Sequence, residues 1–146
     1  MRRVWVFDLD GTLADCSHRL LHIQKEPKDW RAFFADCHRD VLIDHAGRLC
    51  RALEKDAGVV FVSARSDECR EATENWIERR IAIRAPKVWM RRAGDYRDDY
   101  LIKIELLADM RAEGFEPIMV FDDRDRAVGA WRAAGVPCAQ VAPGDF

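Results

Sequence analysis

The chain has 146 residues, 49% of them hydrophobic and 34% charged, and a formal net charge of −2. That length suits a single domain around one core, and the composition excludes a disordered or low-complexity chain. The near-balanced charge excludes bulk attraction to a polyanion, so any hold on nucleic acid needs a local basic patch.

Residues 3–8, "RVWVFD", are β-branched and aromatic and stop short of Gly11, the pattern of a buried strand. The stretch from about 16 to 43 reads as a small helical cap or lid, in which "KDWRAFFADCHRD" puts Trp30, Phe33, Phe34 and Cys37 on one side of a short helix. Asp44 is placed to cap a helix with Ala46, Leu49, Cys50 and Leu53 at helical spacing and Gly58 as its end. "GVVFVSAR" is the second strong strand. Ser66 then caps "DECREATENWIERR", acidic in its first turn and with Arg79 and Arg80 in its last, as the helix dipole favours. "KVWM" is a weaker strand. Asp98 starts a helix with Ile104, Leu107 and Ala108 on one face and Gly114 as its stop. "PIMVFDD" is the third strong strand, "RDRAVGAWRAAG" a helix packing Val128 and Trp131, and "CAQV" a last weak strand.

Near-continuous apolar strands alternating with amphipathic helices predict an α/β fold, a doubly wound, Rossmann-like parallel sheet covered on both faces. Residues 1–146 form one domain in this reading, with the cap inserted at about 16–43. Five cysteines, Cys16, Cys37, Cys50, Cys69 and Cys138, never pair as C-x-x-C, so reduced and mostly buried thiols are expected rather than disulfides or zinc. No apolar run reaches bilayer length, and no small-residue cleavage site follows the opening "MRR". A cytoplasmic address without membrane contact is the expectation.

Ligands of such sheets sit beyond the carboxyl ends of the strands, and that is where the polar residues fall. The first strand ends in Asp8 and Asp10, the second in Ser63, Ala64 and Arg65, the third strong one in Asp122 and Asp123, while Lys103 lies early in the helix begun at Asp98. In extended chain Asp8 and Asp10 point the same way and Leu9 opposite. Four carboxylates at one rim cannot all stay ionised unaided; a divalent cation, a raised pKa, or both must relieve them. An all-oxygen set without nearby His or Cys favours Mg²⁺ over zinc. A phosphate ester fits this inventory. Metal and Lys103 would neutralise it, the hydroxyls of Thr12 and Ser63 with backbone N–H groups around Gly11 would hold its oxygens, one carboxylate would attack phosphorus, and the other would move the proton. Taken singly, each feature has a plainer reading: "DGT" as a turn, Lys103 paired with Asp99 on a helix surface, Asp122 and Asp123 as helix-capping acids.

Together, "DLDGT", "VSAR", Lys103 and "FDD" resemble the four motifs of the haloacid dehalogenase-like (HAD) hydrolase superfamily. The resemblance implies Asp8 as nucleophile forming an aspartyl-phosphate and Asp10 as general acid and base. It also implies a Mg²⁺ site of Asp8, the backbone carbonyl of Asp10, Asp122 and Asp123; a second aspartate at position 10 points to the phosphatase branch. "GDYRDDYLIK" and "FDDRDRAVGAWRAAGVPCAQVAPGDF" are similar to the end of the 3′-phosphatase domain of bacteriophage polynucleotide kinase/phosphatase. That likeness implies assisting roles for Arg19, Arg65 and Asp99, and a phosphatase half only, because no G-x-x-x-x-G-K-[ST] loop is present.

The expected reaction is therefore removal of a 3′-phosphate from an RNA or DNA end, with 2′,3′-cyclic ends as a second candidate substrate and a separate kinase or ligase as a candidate partner. Two rival readings are a phosphatase for free nucleotides or sugar phosphates and a non-catalytic domain that is phosphorylated or binds a ligand. Oligomerisation is left open. Among the side features, His18 and His22 sit four apart without a third metal ligand, Arg91, Arg92 and Arg97 form a basic loop that is either a seat for a polynucleotide backbone or a plain solvated loop, and Trp30, Phe33 and Phe34 are lid packing or a stacking surface.

Overall fold

Apolar side chains on both faces of the strands require cover on both sides, and the fold supplies it. The computed structural model describes residues 1–146. Five strands, β1 (Arg2–Phe7), β4 (Val59–Ser66), β5 (Val88–Arg91), β6 (Phe115–Asp122) and β7 (Cys138–Gln140), form a parallel sheet in the order β5-β4-β1-β6-β7. A second, two-stranded antiparallel ladder joins β2 (Ala14–Asp15) to β3 (Val41–Leu42) and carries the intervening segment between its arms.

Alternation along the strands divides the core. Phe7, Phe61 and Phe121 face one side, with Phe7 and Phe121 stacked at 4.6 Å, and pack against α2 (Asp44–Glu54) and α3 (Arg70–Ile81), which contribute Cys50, Trp76, Ile77 and Ile81. Val4, Val6, Val60, Val62 and Val120 face the other, under α4 (Asp99–Ala112) and α5 (Asp125–Ala133), which contribute Leu107, Met110, Val128 and Trp131. Trp76 and Trp131 are wholly buried; truncating either to Ala costs about 3–5 kcal/mol.

The chain runs outward from β1 through β4 to β5, then returns to β6 on β1's other side. That makes β1/β6 the topological switch point, where such sheets open a crevice. Register carries the acids there: Phe7 pairs with both Phe61 and Phe121, so Asp8 and Asp122 leave the sheet side by side.

Several local expectations shift. Asp44 begins α2 rather than capping it and bonds Arg48, and the helix ends at Glu54, short of Gly58. Ser66 caps a short 3-10 turn, Asp67–Cys69, before α3 starts at Arg70. In α4 the buried face is Ile102, Lys103, Leu106, Leu107 and Met110; Ala108 is exposed, because Lys103 lies on the inward side and the apolar stripe follows it.

Residues 16–43 contain a 3-10 turn (Ser17–His22), the helix α1 (Trp30–Ala35) and a second 3-10 turn (Cys37–Arg39). Phe33 and Cys37 face inward, whereas Trp30 is 42% exposed. The segment is anchored to the rim of the sheet through Arg19 and Asp40, both wholly buried.

Candidate active site

Asp8 sits one residue beyond β1, its N–H bonded to the Phe121 carbonyl at 2.9 Å. Its carboxylate accepts from Lys103 Nζ at 3.0 Å and from the Thr12 hydroxyl at 3.0 Å. Lys103 is buried on α4, and it donates equally to Asp122 at 2.6 Å. It is not the surface partner of Asp99 that its spacing also allows. Trp131 Nε1 adds a bond to Asp122 at 3.1 Å. One oxygen from each of Asp8, Asp122 and Asp123 lies within 4.8 Å of the others, and all three residues are buried. This is a cluster able to hold a metal ion, built wholly from carboxylates.

Burial pushes the Asp8 carboxyl well above the ordinary aspartate range; the Asp122 charge adds to this, and Lys103 offsets only part. Burial raises Asp123 as well. Lys103 responds oppositely. Burial works to lower it, but the charges of Asp8 and Asp122 prevail and hold the ammonium protonated.

Asp10 does not join this cluster, contrary to the expectation that four carboxylates share one crevice. The turn after Asp8 swings its side chain to the cap side, where Arg19 Nη2, Arg65 Nε and Arg65 Nη2 all bond its Oδ1, at 2.8, 3.0 and 2.7 Å. Its Oδ2 keeps no protein partner among these bonds, and the side chain is 26% exposed. Burial works to raise the Asp10 carboxyl, but the Arg65 and Arg19 charges outweigh it and hold the carboxyl below its ordinary value. The two arginines are positioned by Asp40, which takes Arg19 Nε at 2.8 Å, Arg19 Nη2 at 2.7 Å and Arg65 Nη2 at 2.9 Å. Arg65 also bonds Thr73 of α3, and Arg19 the Phe33 carbonyl. Sequence reasoning missed Asp40, whose partners lie 21 and 25 residues away.

Gly11 adopts φ +84°, and a Cβ there would stand 2.2 Å from Asp123 Oδ2. Only glycine lets the two acidic motifs close on each other. Gly144 does the same for the last motif, since a Cβ would meet the Asp123 carbonyl at 1.9 Å while its own carbonyl accepts from Asp125 N. The closing "GDF" thus braces the turn that presents Asp122 and Asp123.

The remaining candidates divide. Ser63 is buried within β4, three residues before its end, and its Oγ accepts from Arg65 N at 3.1 Å; Ala64 beside it gives its carbonyl to Arg91. Asp99, at the start of α4, pairs with Arg91 at 2.8 Å and with Arg124, a second residue missed from sequence. Arg91 is no loop arginine. It closes β5, is 9% exposed, and spends four of its five N–H donors on Ala64, Asp95, Arg97 and Asp99, so it braces the loop before α4 rather than standing free in it. Arg97 is neutralised by Asp95 and Glu105, and of the three only Arg92 has no carboxylate partner. His18 and His22 turn toward Asp36, and His18 bonds Asp40 at 2.7 Å; they form no metal cluster.

The family model for the polynucleotide kinase PNKP phosphatase domain matches residues 2–146. The chain belongs to this family. A putative bifunctional polynucleotide kinase/RNA ligase of Autographa californica nuclear polyhedrosis virus is 39% identical over 92% of this chain, which spans only 18% of that protein. The structure of a Pnkp1/Rnl/Hen1 complex contains a chain 28% identical over all of this one, at TM-score 0.83, with 47% of that chain covered. The chain thus spans less than half the length of these two relatives. The class C acid phosphatase from Bacillus anthracis shares the fold at TM-score 0.65 and 15% identity, covering 97% of this chain and 68% of its own. The domain is a HAD-type phosphatase, and no helix in it is long and apolar enough to cross a membrane.

Proposed function

We propose that this domain is a Mg²⁺-dependent phosphomonoesterase that removes a 3′-phosphate from a polynucleotide end through an aspartyl-phosphate, with 2′,3′-cyclic ends as a further substrate. The observation that carries the reading is the division between two aspartates two residues apart. Asp8 lies with Lys103 and the metal-binding carboxylates, while Asp10 is clamped by one oxygen to two arginines.

Asp8, Asp122 and Asp123, joined by the backbone carbonyl of Asp10, would hold Mg²⁺, which would supply neutralising charge toward the phosphoryl oxygens; three carboxylates suit that hard cation. Lys103 contributes the fixed positive charge of the same site. The Asp8 carboxylate attacks phosphorus, the bond to the 3′-oxygen breaks, and a proton on Asp10 Oδ2 passes to the departing oxygen. Water then attacks the aspartyl-phosphate, Asp10 takes its proton, and inorganic phosphate leaves with Asp8 restored. Clamping Oδ1 leaves Oδ2 as the proton-carrying atom. An arriving phosphate dianion raises the carboxyl that Arg19 and Arg65 otherwise hold down. The Ser63 hydroxyl, with the Ala64 N–H, holds phosphoryl oxygens; the Thr12 hydroxyl, expected to join them, is instead donated to Asp8, and the Gly11 and Thr12 N–H groups are taken by the Ala14 and Leu9 carbonyls, while Asp99 orients Arg124.

The structural neighbour described as an RNA repair complex, and the viral relative's kinase and ligase names, support nucleic-acid ends as substrate and a kinase or ligase as working partner. The test is a panel of 3′-phosphorylated and 5′-phosphorylated RNA and DNA oligonucleotides and free nucleotides, with Mg²⁺. Release from the 3′ position alone is expected. Turnover of free nucleotides with neither oligonucleotide would favour the small-molecule reading instead.

A further inference from the structure

The proposed reaction fixes where a phosphate goes, but not what holds the strand behind it. On the outer side of the cap, a surface groove of about 510 Å³ runs between residues 25–31 and the loop before α4, with Trp30 on one wall and Tyr96 on the other. Tyr96 is 85% exposed and Trp30 42%, so two large rings face solvent in one depression. Phe33, by contrast, is buried beneath the Arg19 guanidinium, 4.4 Å from its ring.

Lys25, Lys28 and Arg31 line the same groove, and none of them is in an ion pair, whereas Arg91 and Arg97 nearby are neutralised. Glu26 and Asp29 also lie there, but Asp29 turns its carboxylate to the Ala32 N–H as the cap of α1. Both walls connect to the reaction centre. Trp30 packs on Phe33 at 5.7 Å, whose carbonyl holds Arg19, which holds Asp10. Tyr96 rides on the loop whose Asp95 and Arg97 carbonyls are held by Arg91, itself bonded to Asp99.

We infer that this groove binds the single-stranded segment leading to the 3′-phosphate, with Trp30 and Tyr96 stacking a base and Lys25, Lys28 and Arg31 meeting its phosphodiesters. Aromatic faces accept any base, and unpaired cations track a backbone. The requirement for an unstacked base excludes a blunt duplex end. The inference rests on the polynucleotide reading above and locates the strand for it.

The test uses Tyr96→Ala, a change at a side chain too exposed to threaten folding, alongside Tyr96→Phe and the double variant Lys25→Gln/Lys28→Gln. Binding of a fluorescein-labelled single-stranded hexanucleotide with a 3′-hydroxyl is read by anisotropy, independently of turnover. Tyr96→Ala is expected to weaken it about tenfold and Tyr96→Phe to restore it, while the double variant lowers the salt slope of log Kd by about 1.4. The ratio of kcat/KM for the 3′-phosphorylated hexamer to that for p-nitrophenyl phosphate should fall about tenfold in Tyr96→Ala. Unchanged affinity in Tyr96→Ala, or no binding by the unaltered domain, overturns the groove. Loss of binding in Tyr96→Ala without 3′-phosphate release by the unaltered domain would overturn the 3′-phosphatase reading and leave the groove standing.

Discussion

Asp8→Asn is expected to abolish turnover and, in metal-free protein at neutral pH, to raise stability. The carboxylate of Asp8 gains from Lys103 at 3.0 Å about 5 kcal/mol at an effective dielectric near 20. Asp122 and Asp123, whose oxygens lie within 4.8 Å, return about 3 kcal/mol of repulsion each on the same basis. Attraction and repulsion nearly cancel, leaving the desolvation of a buried charge, still several kcal/mol after relaxation. The neutral amide escapes most of that and keeps the shape, so a net gain of roughly 1–3 kcal/mol is expected, or about 3–9 °C in Tm. Thermal unfolding with EDTA and with saturating Mg²⁺ checks both halves. The variant should melt above the parent protein in EDTA, and Mg²⁺ should raise the parent more than the variant. A variant that melts lower in EDTA would show that Lys103 already compensates Asp8 in full, and the electrostatic argument for metal demand would fail.

Three further outcomes follow from the same site. Asp40→Ala removes the shared counter-ion of two buried arginines and should cost about 3–5 kcal/mol; Asp40→Asn should be milder, and guanidinium denaturation of both measures it, with losses under about 1 kcal/mol counting against a positioning role. Asp10→Asn should slow alkyl 3′-phosphates far more than activated aryl phosphates, because only the poor leaving group needs a proton; equal losses would remove Asp10 as the acid. In metal-free protein, Asp8 and Asp123 have folded pKa values raised above the ordinary 3.8, so they bind protons more tightly folded than unfolded. Their contribution to stability therefore falls as pH rises from 3.8 through the raised values, and the Tm increment given by Mg²⁺ should grow with pH over that range; a flat increment would contradict it.

What the sequence revealed and what it hid follow from the same physics. Strand ends were legible because apolar β-runs stop abruptly at acids, and a parallel sheet delivers such ends to one rim; Asp8, Asp122 and Asp123 stand out that way, whereas Ser63 lies within β4 and Lys103 was marked only by its place early in the helix begun at Asp98. Asp40 was hidden because it lies in irregular chain between a 3-10 turn and a two-residue strand, where no periodicity marks an inward side chain. Arg91 was misplaced in a loop because β5 runs one residue past its apolar stretch and turns the guanidinium inward. The separation of Asp10 from Asp8 was also invisible, since it depends on the turn at Gly11 and on arginines 9 and 55 residues away. Tyr96 carries no pattern at all, and only the fold sets it opposite Trp30.

The most direct measurement is acid-quenched single turnover of an oligonucleotide carrying a ³²P-labelled 3′-phosphate, with Mg²⁺. The account predicts transient label on the protein, cleaved by hydroxylamine, mapped to the peptide containing Asp8 and missing in Asp8→Asn. Release of labelled phosphate with the protein unlabelled throughout, or label persisting in Asp8→Asn, would contradict it.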